Sequence, residues 1–325
     1  MTLLLNHDEV RSAVTMEDAI DSMEAAFREE GEGKTLLPQR INIKAGNGGW
    51  LRVGPVVLEG SGWMGFKAMN LTPGKGVRYQ VHLYEIESGA LLCIMDAQHL
   101  TTLRTGATSA VATRRLARPG KAATALLGSG PEARAQLDAM VAAGYVSDAR
   151  IFSPTEANRE RLAAEFRERG VDARAVGSAQ EACADASLIL AAVKATEPVL
   201  MGEWLQPGTH VNSVGTARKD QRELDLEVFR RADTIVVDTR EGVFGEAGDA
   251  VAAADLVRED DVHELSALVG GAVGGRQKDD QITLFKSVGT GIQDIAVAAT
   301  IYAKARQLGL GTELGDFPYL KSNKK

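Results

Sequence analysis

Three features predict an α/β fold in two parts, one of them a parallel sheet covered by helices on both faces. From Ala122 onward, short apolar runs alternate with helical stretches. A glycine-rich turn, Gly128-Ser129-Gly130, joins the first run to its helix, and a last amphipathic helix falls beyond the final run. Strands that alternate with helices form parallel sheets, because each crossover helix packs back onto a face of the sheet. The final helix, Gly291 to Gln307, is expected to return to the N-terminal part. That makes the part discontinuous: residues 1–115 completed by 291–325, with 116–290 forming the parallel-sheet domain.

The elements follow in order. A helix is predicted over Thr15–Glu30, where Thr15 and Asp18 have the spacing of a capping box and Met16, Ile20, Met23 and Phe27 share a face. From Gln39 to Met95 the pattern turns to strands. Arg40-Ile-Asn-Ile and Tyr79 to Ile86 alternate, Gly46-Asn-Gly-Gly is a turn, and Ser88-Gly89 is a hairpin turn before Ala90 to Met95. The loops expected to shape a pocket lie between Gly46 and Trp63 and around Leu71 to Val77. An Ala- and Thr-rich helix over Asp96–Leu116 stops at Arg118-Pro119-Gly120. Beyond it, strands are predicted at Ala122–Leu127, Ala149–Phe152, Ser187–Val193, Thr209–Val214, Thr234–Val237 and Ile282–Phe285, with helices at Pro131–Ala143 and Glu156–Arg169.

Bulk properties narrow the function classes. At 325 residues the chain can bury two cores without a disulfide or metal staple. Its net charge of −7 opposes non-specific attraction to nucleic acid or anionic membrane. Cys93 and Cys183 have no metal-ligand spacing and read as small buried residues of a reducing compartment, so no metal is expected. Met1 to Asn6 lacks the basic start of a signal peptide, and no apolar run approaches the roughly 18 residues that span a bilayer. The expected location is cytoplasmic.

Leu126-Leu127-Gly128-Ser129-Gly130-Pro131-Glu132-Ala133 lies where a dinucleotide fingerprint belongs, after a strand and opening a helix. Gly128 suits the tight turn, Gly130 lets backbone approach a pyrophosphate, and small Ala133 permits close helix–strand packing. Pro131 fits the first helical position, where its missing N–H costs nothing. The fold class is therefore α/β: a Rossmann dinucleotide-binding domain plus a discontinuous α+β domain. The second strand of the motif ends Ile151-Phe152-Ser153-Pro154-Thr155, without the acid that usually holds the ribose of NAD. Ser153, Thr155 and Arg159 suit a 2′-phosphate, which favours NADP(H) over NAD(H), although Glu156 can serve a ribose.

The N-terminal part holds three cations in apolar or small-residue settings: Arg40, Lys67 and Arg104. Guanidinium groups bind carboxylates bidentately, and a lysine beside an imine can move a proton. Each of the three also reads as an ordinary surface side chain, and physics alone does not select them. His82, a second proton donor on paper, reads more readily as structural. Asp294 reads equally as a helix N-terminal charge or as a group that orients a polar partner.

The run Ala195-Thr-Glu-Pro-Val-Leu-Met-Gly-Glu-Trp-Leu-Gln-Pro-Gly-Thr-His-Val-Asn-Ser-Val-Gly215 resembles the ornithine cyclodeaminase/mu-crystallin family. Arg222-Glu-Leu-Asp225, Gly-Phe-Lys67, Leu-Arg104-Thr-Gly-Ala and Gly275-Arg-Gln-Lys-Asp-Asp-Gln-Ile-Thr-Leu-Phe-Lys-Ser-Val-Gly289 continue the likeness, which runs from about residue 15 to residue 305. The resemblance implies that the discontinuous domain binds substrate and forms a homodimer. It implies that Arg40, Lys67 and Arg104 bind a substrate carboxylate and surround the reacting carbon. It places Thr105 near the pyrophosphate, and Asn212, Val214 and Gly215 with Ser287, Val288 and Gly289 at the nicotinamide end. With Gly128, Ser129, Gly130, Pro131, Glu132, Ser153, Thr155 and Arg159 these make up the expected cofactor site.

Departures from the family pattern discriminate among its activities. Cyclodeaminases carry a Glu three residues before a Pro where this chain has Arg52 before Pro55, and an Asp two residues after the Gly matched to Gly215, where it has Ala217. Glu132 replaces a usual Gln, and Pro154 an Arg seen in some NADP-binding members. The missing carboxylates side with the mu-crystallin-like ketimine reductase branch: NAD(P)H-dependent reduction of a small imino acid to an amino acid. A cyclodeaminase-type lyase with bound NAD and a non-catalytic NADP-dependent ligand-binding protein are the alternatives.

Overall fold

Regular structure starts at the third residue. In the computed structural model, which describes residues 1–315 and 317–321, Leu3–Leu5 form strand β1 and His7–Ala13 helix α1. Asn6 caps α1 by accepting from the N–H groups of Asp8 and Glu9 while Glu9 reaches back to its backbone. Helix α2 spans Met16–Gly31, with Thr15 and Asp18 forming the expected capping box. It buries Ile20, Met23 and Phe27, each such side chain contributing roughly 1.5–3 kcal/mol. Strands β2 (Thr35–Leu36), β3 (Ile41–Lys44), β4 (Trp50–Leu58), β5 (Trp63–Thr72), β6 (Gly76–Glu85) and β7 (Leu91–Asp96) follow, then helix α3 (Gln98–Leu116). One expectation is corrected. The stretch between Gly46 and Trp63 is not a loop but mostly β4, and β5 and β6 leave only a short turn between them. Leu51, Val53 and Val57 on one face and Val56 and Leu58 on the other make β4 apolar on both faces, which hides the period-two signal of a strand.

The chain continues through β8 (Ala122–Leu127), α4 (Pro131–Ala142), β9 (Val146–Phe152), α5 (Glu156–Glu168), β10 (Ala173–Ala175), α6 (Ala179–Cys183), β11 (Leu188–Ala191) and β12 (His210–Ser213). Then come α7 (Leu226–Arg231), β13 (Thr234–Val237), α8 (Arg240–Glu246), α9 (Gly248–Ala253), β14 (Val262–Glu264), α10 (Leu265–Val269), β15 (Thr283–Lys286), α11 (Gly291–Leu308) and β16 (Thr312–Glu313). The strands β10 and β14 and the short helices α6 to α10 carry too few residues to show periodicity in sequence.

Two units result, Met1–Arg104 with Thr290–Lys325 and Thr105–Gly289. The division falls inside α3 rather than after it. The backbone at Gly106 lies so close to Ala135 that a Cβ would sit 2.3 Å from its carbonyl oxygen, and Gln136 donates to the Thr105 carbonyl at 3.1 Å. Both contacts tie the second half of α3 to α4. Of the expected segment 291–325, residues 316 and 322–325 lie outside the described residues.

The first unit is built on a sheet in the order β16-β1-β7-β6-β5-β4-β2, with β3 also paired to β4, and antiparallel apart from β1 on β7. Helix α11 packs on one face. A Cβ on Gly65 would lie 2.2 Å from the His82 carbonyl oxygen and 2.8 Å from Ile295 Cδ1, so only glycine fits there. The second unit holds eight parallel strands in the order β10-β9-β8-β11-β12-β15-β13-β14. The order reverses between β8 and β11, which is the Rossmann arrangement with its ligand crevice at the carboxyl ends of those strands. Residues of β8, β11, β12, β13 and β15 form one continuous apolar core there.

Candidate active site

Lys67 lies on β5 opposite Gly54 of β4 and Val81 of β6, on the face that α11 covers. Its ammonium donates to Asp294 Oδ1 at 2.7 Å and to Thr101 Oγ1 at 3.3 Å. Arg104, on α3, donates from Nε to the same Asp294 oxygen at 3.0 Å and from Nη1 to Gln293 Oε1 at 2.8 Å. All three charged side chains are less than a tenth exposed. Arg40, between β2 and β3, is half-buried. Its stem runs beside Gly54, with Cγ 3.8 Å from where a Cβ there would stand, and its charge acts on both Lys67 and Asp294. The three predicted cations thus meet in the first unit around a carboxylate from the first turn of α11.

Electrostatics sets their protonation. Burial pulls the Lys67 ammonium down to about 7; Asp294 opposes this and the like charge of Arg104 adds to it. Burial alone would raise the Asp294 carboxyl, but Lys67 and Arg104 together hold it below its ordinary value. The pair is a stable carboxylate beside a lysine that exchanges its proton near neutrality. His82 is not part of this group. It stacks on Phe66 with ring centroids 4.6 Å apart, and strand alternation turns it to the face opposite Lys67. Burial keeps its imidazole below the ordinary value.

The second unit carries the dinucleotide motif. Gly128 has φ +119°, and a Cβ on it would lie 2.7 Å from the Ala192 carbonyl oxygen at the end of β11. Gly130 is the N-cap of α4, Pro131 occupies its start, and no side chain caps the helix. A Cβ on Gly130 would meet nothing within 4 Å, so its backbone stands open to a ligand. Ser129 is half-buried between these glycines and Glu132 lies in the first helical turn. An uncapped helix start beside such a turn suits a pyrophosphate, so the residues fit a dinucleotide. Thr105 on α3 is buried, its carbonyl held by Gln136 of α4.

Ser153 is buried beyond the end of β9, Thr155 is the exposed N-cap of α5 with no capping hydrogen bond, and Arg159 donates to the Ser153 carbonyl at 3.0 Å. Asn212, at the end of β12, gives its amide hydrogen to Thr113 Oγ1 at 2.8 Å, while its buried Oδ1 meets no protein donor. Val214 and Gly215 follow it. Ser287, Val288 and Gly289 follow β15, and all three donate to Asp238: the Ser287 hydroxyl at 2.6 Å, the Gly289 N–H at 2.6 Å and the Val288 N–H at 3.2 Å. The predicted cofactor residues at these loops therefore stand at the carboxyl ends of β8, β9, β12 and β15.

Sequence reasoning missed Asp238, and it left Asp294 undecided. The partners of Asp294 are 190 and 227 positions away, so no local pattern marks it. The cysteines are buried, and their thiols are pushed up to about 12 by that burial, so neither is a nucleophile.

The ornithine cyclodeaminase/mu-crystallin family model matches residues 1–309. A solved Δ1-pyrroline-2-carboxylate reductase of Thermococcus litoralis, in complex with NADH and L-proline, is 34% identical and superposes with a TM-score of 0.91 over 96% of this chain and all of the other. An archaeal alanine dehydrogenase dimer with bound NAD is 30% identical, with a TM-score of 0.90 over 97% of this chain and 99% of the other. The ketimine reductase mu-crystallin of Mus musculus is 31% identical over 302 residues, 91% of this chain and 93% of the relative.

Proposed function

The chain belongs to the ornithine cyclodeaminase/mu-crystallin family, and from that premise we propose that it is an NAD(P)H-dependent reductase of small imino acids. The observation that carries the reading is the gathering of Lys67, Arg104 and Arg40 around Asp294. Two guanidinium groups and an ammonium on one buried carboxylate attract a second carboxylate, that of the substrate. Arg40 and Arg104 anchor it and fix which face of the C=N bond is presented, and such orientation supplies much of the acceleration in a two-reactant step. Lys67, poised near neutrality, gives its proton to the imine nitrogen, and the resulting iminium carbon accepts hydride far more readily than a neutral imine. Asp294 holds Lys67 and Arg104 in place and opposes the loss of the donor's proton that burial favours. Gly128 to Glu132, Thr105, Asn212 to Gly215 and Ser287 to Gly289 would hold the dinucleotide, which supplies the hydride to the imine carbon and leaves oxidised.

Ser153, Thr155 and Arg159, with no acid at the end of β9, favour a 2′-phosphate and hence NADP(H). The two solved relatives named above carry NADH and NAD. A lyase reading needs a carboxylate for the distal amine of a diamino acid. Arg52 is instead engaged with Asn42 Oδ1 at 2.6 Å, and Ala217 has no titrating group. A second copy of the chain is the proposed occupant of the uncovered face of the first sheet, where Ile41, Ile43 and Leu51 are 53%, 57% and 41% exposed and Ile43 pairs directly with Leu51.

The test is oxidation of NADPH and of NADH by the purified protein with pyrroline-2-carboxylate, piperideine-2-carboxylate, and 2-oxo acids with ammonia or methylamine. Turnover that disappears in Lys67→Ala and Arg104→Ala is expected. Nucleotide binding with no turnover on any member of the panel would refute the reductase.

A further inference from the structure

We propose that Lys286, Glu223 and Asp249 form a buried set that positions the loops facing the nicotinamide ring, a proposal that rests on the reading of Asn212 to Gly215 as the nicotinamide end. None of the three side chains is exposed by more than a hundredth of its surface. A lysine so placed must have its protons satisfied, since an uncompensated buried charge is strongly destabilising. Its Nζ meets Ser213 Oγ and Thr216 Oγ1 at 2.6 Å each, Asp249 Oδ2 at 2.9 Å and Glu223 Oε1 at 3.3 Å.

The carboxylates pass this anchoring on to the backbone. Glu223 accepts from the Val193 N–H at 2.9 Å through one oxygen, and from the Gly215 N–H at 2.8 Å and the Ser213 hydroxyl at 2.5 Å through the other. One side chain therefore grips the segments that leave β11 and β12, on the side of the sheet where the dinucleotide motif opens. The grip is close: a Cβ on Gly215 would lie 2.2 Å from Val193 N and 2.4 Å from Glu223 Oε2. Asp249 in turn accepts from the backbone N–H groups of Glu223 and Leu224 at 3.3 and 3.4 Å, which fixes Glu223 itself. Lys286 is also the residue directly before Ser287 to Gly289, so the same anchor serves both loops assigned to the nicotinamide end. An apolar cluster would fill this space at lower cost in desolvation. What it would lack is directed acceptors for the two loop N–H groups.

Glu223→Gln tests the proposal, because it keeps the shape but turns one acceptor into a donor that faces an N–H. Fluorescence titration with NADPH and with NADH, and single-turnover reduction of pyrroline-2-carboxylate with the light and 4-deuterated forms of the tighter-binding nucleotide, are the measurements. The expected result is a hydride-transfer rate lower by about 10- to 100-fold, as misplacement by an ångström produces. The isotope effect should rise, and the nucleotide dissociation constant should change by less than about 3-fold because the Gly128 to Glu132 loop is intact. Thr216→Val removes one acceptor of Lys286, and should slow hydride transfer in the same direction by about 3-fold should the first variant not fold. A variant that loses thermal stability but keeps the wild-type rate and isotope effect per bound nucleotide would overturn the proposal alone. Wild-type protein that binds no nucleotide would overturn the underlying reading and the proposal with it.

Discussion

Replacing Asp294 by Asn should move the pH dependence of reduction toward acid. The carboxylate accepts the Lys67 ammonium at 2.7 Å and the Arg104 guanidinium at 3.0 Å, and the amide keeps the shape without the charge. In the wild type, Lys67 titrates at about 7 because burial and Arg104 outweigh Asp294. A unit charge at this range is worth on the order of 4 kcal/mol at an effective dielectric of about 20, and a pKa unit corresponds to about 1.4 kcal/mol. Full loss would lower the Lys67 value by up to roughly 3 units, and relaxation of the arginines leaves at least about 1 unit. The sign follows from the donor role: the ammonium is the active form, so kcat/KM falls as pH rises through the lysine's pKa. In Asp294→Asn that fall should begin at lower pH. The assay is kcat/KM for pyrroline-2-carboxylate across pH in both proteins with the same substrate, so that substrate ionisation cancels. Superimposable profiles, or a shift toward alkaline pH, would refute Lys67 as the proton donor.

Three further outcomes are expected. Arg159→Ala should weaken NADPH binding by about 10-fold or more and leave NADH nearly unchanged, as loss of a charged hydrogen bond to a phosphate requires; equal effects on both nucleotides would remove Arg159 from the 2′-phosphate site. Gly106→Ala should lower the melting temperature, although the same change in an exposed helix stabilises by about 1 kcal/mol, because its Cβ would strike the Ala135 carbonyl at 2.3 Å; a rise would show that α3 and α4 can separate freely. His210 is buried between Thr283 and Thr113, and burial, aided by the charge of Arg276, pulls it down to about 3. Its unfolded form takes a proton below about 6.5 while the folded form does not, so stability falls from there toward pH 3, by about 2 kcal/mol at pH 5. Urea unfolding of His210→Gln at pH 7 and pH 5 should lack that loss, and equal losses in both proteins would contradict it.

The second unit was largely legible in sequence because its signals are local. Ala122–Leu127 is a buried parallel strand and therefore a continuous apolar run, and Gly128, Gly130 and Ala133 stand at fixed offsets from its end. The N-terminal half of the chain was harder to read. β4 carries apolar side chains on both faces and so does not alternate, and β1 with α1 occupies too few residues to show a period. Arg40, Lys67 and Arg104 were singled out by resemblance, since a charged side chain in a strand or helix looks the same whether it meets water or another charge. Only the packing of α11 against the first sheet delivers Asp294 to Lys67 and Arg104, and only strand register turns His82 away from them. Lys286 makes the same point: by sequence it is a lysine after Thr-Leu-Phe, and by tertiary structure it is the centre of a fully buried set of carboxylates and hydroxyls. The sequence by itself determined the longer elements and the nucleotide motif, because backbone periodicity and turn chemistry act over a few residues. Which charges meet was decided by the tertiary structure, because desolvation and Coulomb energies depend on distances that chain separation does not encode.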